Sequence, residues 1–491
     1  MQDFKLNSSI ISEFQHVENF RKAFFATSFF LFLSVWLHAA TVTITCDNPK
    51  YAAKKLTFFG YSDPVSQTTK QIFSLETDKT GRATATADVQ NAQFVFCDFG
   101  IYRGLLLLEP GQNVKIQLPP VREKTFADEK NPYFEPVKFW FATENKTQLN
   151  NQVAAFTAKL GQLSDKYFDQ LYFRQLKPYY DSVQIQLSKE FGNIKNETFA
   201  NHKTLSLKLV EVEAFRQKPE DYATVFNGVK PHFWFHPAFT DLFNKTFSGL
   251  LSFDAKSVKG ADLKKAVNQG NLQKIADHLK TKYKITGDAA DLAMLKMLHD
   301  GWYSGDFSKT SIQQMMKATR FTGHQNPVIR ETAKNITEKI SFLQTGSAAP
   351  VICLKNMEGQ KICTNATKGK YKYILFADTE MAVSREHLKY LSAVEQKFQK
   401  NLEIFIILRK TEQAALKKFF AENQVPGVKL IDENGEFSAL YKIRSYPQCF
   451  LLDENHKVKL APAKAPLDGF EQQFGTLLQN ERIENLRKQG K

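Results

Sequence analysis

The chain has 491 residues, of which 43% are hydrophobic and 43 are phenylalanine, and this composition predicts a globular protein of two to four domains. The formal net charge is +15, but the basic residues form no continuous block, and the sequence has no RNA-binding signature and no zinc-ligand spacing. We therefore exclude a nucleic-acid partner. We interpret the charge as a basic solvated surface, with weak attraction to anionic envelope polymers or lipid headgroups as the alternative.

The first 40 residues have the pattern of an export signal. Arg21 and Lys22 precede an apolar run over 24–38, and the run ends at the small residues Ala39 and Ala40. A basic flank, an apolar stretch of this length and a small-residue exit predict a secretory signal peptide cleaved near Ala39 or Ala40. The alternative is an uncleaved N-terminal anchor, in which case the protein is held at a membrane. Either interpretation places the protein in the periplasm or cell envelope.

Residues 41–120 predict a small antiparallel β-sandwich domain. Short alternating runs recur about every ten residues and are separated by turn signals, which is the pattern of such domains. Cys46 and Cys97 lie at the ends of two of these strands and could form a disulfide in an oxidising compartment. The predicted strands are 41–45, 55–59, 72–75, 83–86, 94–96, 104–108 and 114–118.

Residues 121–345 predict an all-α domain, because apolar residues recur there at intervals of three and four. Within it, His232 and His236 are four residues apart, a spacing that lets two histidines share one metal ion on a helix. No third ligand is evident, and Pro231 and Pro237 bracket the run. We therefore predict that these histidines pack in an aromatic turn, and we predict no metal and no cofactor.

Residues 346–491 predict an α/β domain with a succession of strands and helices in the order βαβαβββα. Buried apolar runs alternate with segments of helical spacing, and turn signals stand at Gly435 and His456. The predicted strands are 371–376, 402–408, 428–431, 448–452 and 458–460, and the predicted helices are 379–391, 411–422 and 469–480.

This order of elements, with Tyr446-Pro447 directly before a strand and Gly346-Ser-Ala-Ala-Pro350 at the entry, resembles the thioredoxin-like domains of the TlpA/ResA family of exported thiol-disulfide oxidoreductases. The layout of 41–120 and the L-x-x-G-x-x-V-x-I run at 108–116 also resemble the β-domain that precedes a helical region in such proteins of Gram-negative bacteria. The resemblance implies a thioredoxin-like C-terminal domain after a β-sandwich domain and a helical domain.

The family carries a C-x-x-C motif at the start of its first helix, and the alignment places Met381 and Ser384 at the two cysteines. Neither side chain can form a thiolate or a disulfide, which dithiol exchange requires. No cysteine lies between Cys363 and Cys449, so a shifted alignment does not restore the motif. We predict a redox-inactive thioredoxin-like fold without catalytic residues, which acts as a binding or scaffolding module in the envelope.

The resemblance also implies a cis peptide bond before Pro447. The edge at Ser445, Tyr446 and Pro447 then stays open for an extended peptide to pair with by β-augmentation. The expected partner is an envelope protein or peptide whose identity the sequence does not give.

Cys353 and Cys363 lie symmetrically about Met357-Glu-Gly359, so a hairpin places them opposite each other and predicts a disulfide. Cys449 is left unpaired and is interpreted as a buried core thiol. The alternative function is a thiol-disulfide oxidoreductase that uses Cys449 or the Cys353/Cys363 pair.

Overall fold

The computed structural model of the protein describes residues 40–366 and 369–490. Ala40 begins the first strand, and the rest of the predicted signal peptide lies outside the described residues. Within those residues, no helix combines the length and the apolar content needed to cross a membrane. The fold has a β-rich N-terminal region, a central helical region and a thioredoxin-like α/β C-terminal domain, as the sequence predicts.

Two sheets form the β-rich region. One has four strands in the order β4-β1-β7-β9, and the other has five in the order β3-β2-β5-β6-β8. Most neighbours are antiparallel, but β1 pairs with β7, and β6 with β8, in parallel. The strands are β1 Ala40–Asp47, β2 Lys55–Tyr61, β3 Thr69–Glu76, β4 Arg82–Val89, β5 Gln93–Phe99, β6 Tyr102–Leu108, β7 Asn113–Gln117, β8 Val137–Trp140 and β9 Ala142–Thr143.

The sheets continue past residue 120, where the sequence analysis ends the β-domain. The chain leaves after β7 through Pro119 and Pro120, forms the short helix α1 (Phe126–Lys130), and returns to add β8 and β9 to the sheet edges. Both returning strands are short, and β8 pairs with β6 in parallel, so neither gives the hairpin signal on which strand prediction depends.

The predicted disulfide between Cys46 and Cys97 is wrong, because the structure leaves both thiols free. Cys46 lies on β1 of the four-stranded sheet and Cys97 on β5 of the five-stranded sheet, and both are buried in the core between them. Burial raises the pKa of Cys97 to about 12, so this thiol is an inert core group.

The central region packs its helices around a large apolar core that contains Trp234, Phe243 and Leu295. A second core joins the first helices of this region to the outer face of the five-stranded sheet through Phe94, Phe96 and Phe156. The helices are α2 Leu149–Lys166, α3 Lys177–Phe191, α4 Glu197–Phe215, α5 Pro219–Tyr222, α6 Pro237–Phe247, α7 Leu250–Ala255, α8 Ala261–Asn268, α9 Leu272–His278, α10 Gly287–Ser304, α11 Lys309–Met316, α12 Thr319–Thr322 and α13 Pro327–Ser341.

The C-terminal domain is built on a seven-stranded sheet in the order β11-β10-β14-β13-β12-β15-β16. The central strands β12, β13 and β14 are parallel, and β12 is buried along its whole length. The elements are β10 Cys353–Asn356, β11 Lys361–Cys363, β12 Tyr371–Ala377, α14 Ala382–Phe398, β13 Leu402–Arg409, α15 Gln413–Glu422, β14 Val428–Asp432, α16 Glu436–Leu440, β15 Gln448–Leu452, β16 Val458–Ala463 and α17 Phe470–Gln489.

Alternation along β12 separates the two apolar layers of this domain. Tyr373 and Leu375 face the layer covered by α14, α15 and α17, whereas Ile374 and Phe376 face the layer that contains Tyr441. A strand with both faces covered reads as a continuous apolar run, which is why 371–376 is recognisable in the sequence.

The hairpin of β10 and β11 contains the predicted disulfide between Cys353 and Cys363. The two residues are directly opposite in the register, with their Cα atoms 4.1 Å apart. Closing a loop of this length stabilises a fold by about 2 to 3 kcal/mol, chiefly by restricting the unfolded chain. The bond fixes the outer edge of the sheet.

Candidate functional site

The candidate site lies where β12 ends and α14 begins, at the positions that the sequence analysis aligns with the dithiol of the resembled family. Met381 is the N-cap residue of α14 and is partly exposed. Ser384 is buried in the first turn, and its Oγ accepts a hydrogen bond of 3.3 Å from the backbone N–H of Asp378. The two side chains therefore occupy an outer and an inner position at one helix N-terminus, and neither has a thiol.

Asp378 is a fully buried carboxylate between β12 and this helix. Its Oδ1 accepts a hydrogen bond of 3.0 Å from the backbone N–H of Glu380, which shapes the loop into α14. Its Oδ2 lies 2.6 Å from Nζ of Lys130 and 3.4 Å from Nη1 of Arg409, which ends β13. Buried charges are tolerated when they are paired, and here the closer partner comes from outside the C-terminal domain.

Lys130 ends helix α1, between the two parts of the β-rich region, and reaches over the start of α14. Its Nζ also contacts Oε2 of Glu380 at 2.5 Å, and its side chain is 11% exposed. Burial lowers the pKa of Lys130, but the hydrogen bonds to Asp378 and Glu380 outweigh it, so the pKa is raised above its ordinary value. The protonated lysine therefore fastens α1 onto the thiol-free helix start.

The loop that precedes β15 lies beside this site. Gln448 pairs with Phe376, so Pro447 and Tyr446 follow the antiparallel register next to Ala377 and Asp378. The peptide bond between Tyr446 and Pro447 is cis, as the family resemblance implies. Ser445 is exposed, and the backbone N–H groups of Ser445 and Tyr446 form no hydrogen bond with any residue that the structure describes.

Three basic side chains surround this loop. Lys442 and Arg444 belong to the loop, and Lys339 comes from α13 of the helical region. Burial lowers the pKa values of Lys339 and Lys442, and the neighbouring charge of Arg444 lowers both further. None of the three is within 4 Å of a carboxylate in the described part of the chain. Asp63 raises the pKa of Lys339 and Glu338 raises that of Lys442, so acidic groups offset part of this charge without forming ion pairs. The loop thus combines free backbone donors with a local excess of positive charge.

Cys449 follows the loop on β15 and points into the apolar layer beneath α14 and α17. Its side chain is almost completely buried, and this burial raises the pKa of the thiol to about 12. At neutral pH only about one molecule in 10⁵ then carries the thiolate that attacks a disulfide. Cys449 has the environment of a core residue.

The disulfide between Cys353 and Cys363 lies at the same end of the sheet as the candidate site, which is the carboxyl end of the parallel strands. Lys355 pairs with Ile431 in antiparallel register, so Cys353 is level with Glu433, just beyond the end of β14. Strand β10 is three positions from β12, a separation of roughly 14 Å at ordinary strand spacing. Both cysteines are partly exposed, and Cys353 lines a cavity of about 530 Å³ together with Asp432 and Glu436.

The two histidines singled out by spacing do not form a metal site. His236 is buried and caps α6 through Nδ1, and its ring stacks on Phe233 with centroids 4.6 Å apart. His232 lies in a 3-10 turn rather than an α-helix, so the two rings do not share one helix face. Among residues 40–366 and 369–490, no cluster of histidine, cysteine and acidic side chains could hold a metal ion.

Sequence reasoning missed Lys130 and Asp378, which dominate the electrostatics of the site. Asp378 follows a buried apolar strand directly, and that placement is a usable signal because carboxyl ends of parallel strands collect functional groups. Lys130 offers no such signal, because 248 residues separate it from its partner.

Comparison with known proteins agrees with the fold of this domain. Residues 345–461 match the AhpC/TSA family. The thiol-disulfide oxidoreductase ResA of Bacillus thuringiensis subsp. konkukian (strain 97-27) is 26% identical over 117 residues, which are 24% of this chain and 68% of the relative. ResA of Bacillus anthracis has the same identity and coverage. The matched stretch is the C-terminal domain, which is similar to thiol-disulfide oxidoreductases of the thioredoxin-like class.

Two solved structures are similar to the same region. A putative thiol:disulfide interchange protein DsbE from Chlorobium tepidum has 22% identity and a TM-score of 0.23, and the match covers 24% of this chain and 85% of that one. The thioredoxin domain of a thiol-disulfide oxidoreductase from Bacteroides vulgatus has 22% identity and a TM-score of 0.25, with coverage of 27% and 98%.

Proposed function

We propose that this protein is an exported, redox-inactive member of the thioredoxin-like group that serves as a binding module in the cell envelope. The observation that carries the proposal is the thiol-free start of α14, where Met381 is the N-cap residue and Ser384 is buried below it. Thiol exchange needs a thiolate and a second thiol at this position, and the sequence supplies neither. We propose that the surface at Ser445, Tyr446 and Pro447 still binds a peptide, although the thiols needed for exchange are absent.

The partner we propose is an extended peptide with acidic side chains. The free backbone N–H groups of Ser445 and Tyr446 favour β-augmentation, because an added strand gains main-chain hydrogen bonds there. The positive charges of Lys339, Lys442 and Arg444 lie near those donors. Asp63 and Glu338 partly offset the charges of Lys339 and Lys442, but no carboxylate of the described residues is within 4 Å of the three basic groups. Complementary charge steers association and selects among partners of similar shape.

A peptide of four Glu-Val repeats, labelled with a fluorophore, tests this partner. We expect binding that weakens as NaCl rises from 50 to 300 mM, because the distance over which exposed charges are screened falls from about 14 Å to about 6 Å. The double variant Lys442→Glu, Arg444→Glu should lose at least tenfold in affinity by fluorescence anisotropy. The variant Lys417→Glu, Lys418→Glu makes the same charge change on α15 and should bind normally. Equal binding of a Lys-Val repeat peptide would contradict the proposal.

A second candidate function is thiol-disulfide exchange by Cys353 and Cys363, favoured by their partial exposure beside the 530 Å³ cavity. Reduction of insulin separates the two functions. We expect turnover of the wild-type protein at the uncatalysed background. Activity above background that disappears in Cys363→Ser assigns chemistry to the hairpin, and activity that disappears in Cys449→Ser assigns it to β15. Either result overturns the redox-inactive assignment.

The double variant Met381→Cys, Ser384→Cys tests the alignment of the site. The two positions are three residues apart at a helix N-terminus, where side chains face each other and a thiolate is favoured. We expect an internal disulfide to form with oxidised glutathione, detected as two thiols lost by alkylation and mass spectrometry. The variant Met381→Cys, Val383→Cys is the control, because side chains two apart on a helix diverge. If both variants form the disulfide to the same extent, Met381 and Ser384 do not correspond to the two cysteines of the family motif.

A further inference from the structure

A cavity of about 420 Å³ lies between the five-stranded sheet and the helical region, far along the chain from the candidate site. Its floor is the outer face of the sheet, where the partly exposed rings of Tyr61 and Trp140 lie beside the buried rings of Phe94 and Phe96. The centroids of Tyr61 and Phe96 are 5.1 Å apart, and those of Phe94 and Trp140 are 6.1 Å apart. Helices α2, α4 and α6 form its walls. Ligand sites commonly have this size and lie between domains.

A second cavity, of about 330 Å³, continues the first along the sheet. The two cavities share Tyr61, Gln67, Phe96 and Arg103 in their linings, so they lie next to each other on this face of the sheet, and we call them together the groove. Phe59 extends the row of aromatic rings into the second part.

The charges that line the groove cancel. Arg103 forms a paired hydrogen bond with Asp98, in which both N–O distances are 2.6 Å, and its guanidinium lies 4.8 Å above the Phe96 ring. Lys138 and Asp241 supply one further charge of each sign, and neither is within 4 Å of an opposite charge in the described residues. On a chain with a net charge of +15, this lining is neutral. It offers no surplus charge for a phosphate, a carboxylate or an amine.

Hydrogen-bonding groups of both polarities stand beside the rings. Gln67 and Thr240 can donate and accept, and Lys138 and Asp241 add a donor and an acceptor. His202 lines the wall, is 4% exposed, and bonds Thr157 Oγ1 through Nε2 at 3.1 Å. Its Nδ1 has no hydrogen-bond partner in the described residues. The Nε2 atom of His236, whose ring lies 5.1 Å from that of His202, is also unpaired in the described residues, and both nitrogens are buried, so neither is counted among the groups that face a ligand.

We infer that this groove binds a neutral glycan, one or two sugar units of which fill the larger cavity. Sugar rings present apolar C–H faces that pack on aromatic rings, and their hydroxyl groups both donate and accept hydrogen bonds. The partly exposed rings of Tyr61 and Trp140, the mixed polar rim and the cancelled charge match these properties together. A purely apolar ligand leaves the polar rim unpaired, and a charged ligand finds no net counter-charge.

Titration with neutral hexasaccharides of glucose in α- and β-linkage, of mannose and of N-acetylglucosamine tests this inference, with saturation-transfer NMR as the readout. We expect at least one of them to bind the full chain and to lose at least tenfold in affinity in Trp140→Ala. Asp241→Asn changes an exposed side chain and should weaken binding without affecting folding. Phe253→Ala, an exposed aromatic residue elsewhere on the helical region, is the matched control and should bind normally.

Three outcomes overturn the inference. The first is that none of the four glycans binds. The second is that binding survives unchanged in both Trp140→Ala and Asp241→Asn, which places it elsewhere. The third is that phenylalanine or phenylacetate binds instead and loses affinity in those variants, which assigns the groove to a charged aromatic ligand. None of these results bears on the peptide edge at Ser445, which is tested separately.

Discussion

Replacing Lys130 by alanine should destabilise the contact between α1 and the C-terminal domain by about 3 kcal/mol, because a fully buried carboxylate loses its closest cation. Asp378 is then left with Arg409, whose guanidinium is 3.4 Å away and 38% exposed. Removing one member of a buried pair costs more than the pair contributes, since the remaining charge stays desolvated. The effect should be concentrated at β12 and the start of α14.

Hydrogen exchange of peptides that cover 371–398 measures this effect locally. A loss of about 3 kcal/mol corresponds to exchange that is about a hundredfold faster. The residue-matched control is Lys54→Ala, which removes an exposed ion pair with Glu123 and should change stability by less than about 1 kcal/mol. In a double-mutant cycle, Lys130→Ala and Asp378→Asn together should cost less than the sum of the single changes. Strict additivity would mean that the two side chains do not interact.

Local signals explain which parts of this fold the sequence predicts. A parallel strand buried on both faces leaves a continuous apolar run, and a packed helix leaves a 3.6-residue period, so β12 and α14 are both recognisable. The hairpin disulfide is predictable for the same reason, because ten residues and one tight turn determine where its two cysteines meet. In each case the partners are close in sequence.

Long-range partners explain what sequence reasoning missed. Cys46 and Cys97 are at similar places in their strands, but the sequence does not say that the strands belong to opposite sheets. Strand β8 depends on a parallel pairing with β6, and Lys130 depends on a carboxylate in another domain. His202 occupies an ordinary helical position, and only the fold gives it a buried ring beside His236. Such contacts are products of tertiary packing and leave no local period.

Acid should weaken the β-rich and helical regions through His202, and this effect should develop between pH 6.5 and pH 4. Burial lowers the pKa of His202 to about 4 from its ordinary value of 6.5, so the unfolded chain takes up a proton in this range before the folded chain does. The stabilisation is complete above pH 6.5 and is lost as pH falls towards 4. At pH 4.5 the loss from this residue is about 2 to 3 kcal/mol, since each pKa unit is worth about 1.4 kcal/mol.

The neighbouring residue His236 should add to this destabilisation by acid. The ring of His236 lies 5.1 Å from that of His202, and burial together with the charge of His202 lowers the pKa of His236 well below its usual range. Protonating either ring therefore opposes protonating the other. Both histidines therefore lower the stability of the folded state at low pH.

Urea denaturation followed by tryptophan fluorescence measures this loss in the correct part of the protein, because Trp140, Trp234 and Trp302 lie in these regions and 346–491 contains no tryptophan. Other carboxylates also titrate, so the informative quantity is the difference between variants. His202→Gln should lose about 2 to 3 kcal/mol less than the wild type between pH 7.5 and pH 4.5. Thr157→Val removes only the hydrogen-bond partner of His202 and should retain the full acid dependence. If His202→Gln and the wild type show the same pH dependence, the buried imidazole is not the group that titrates.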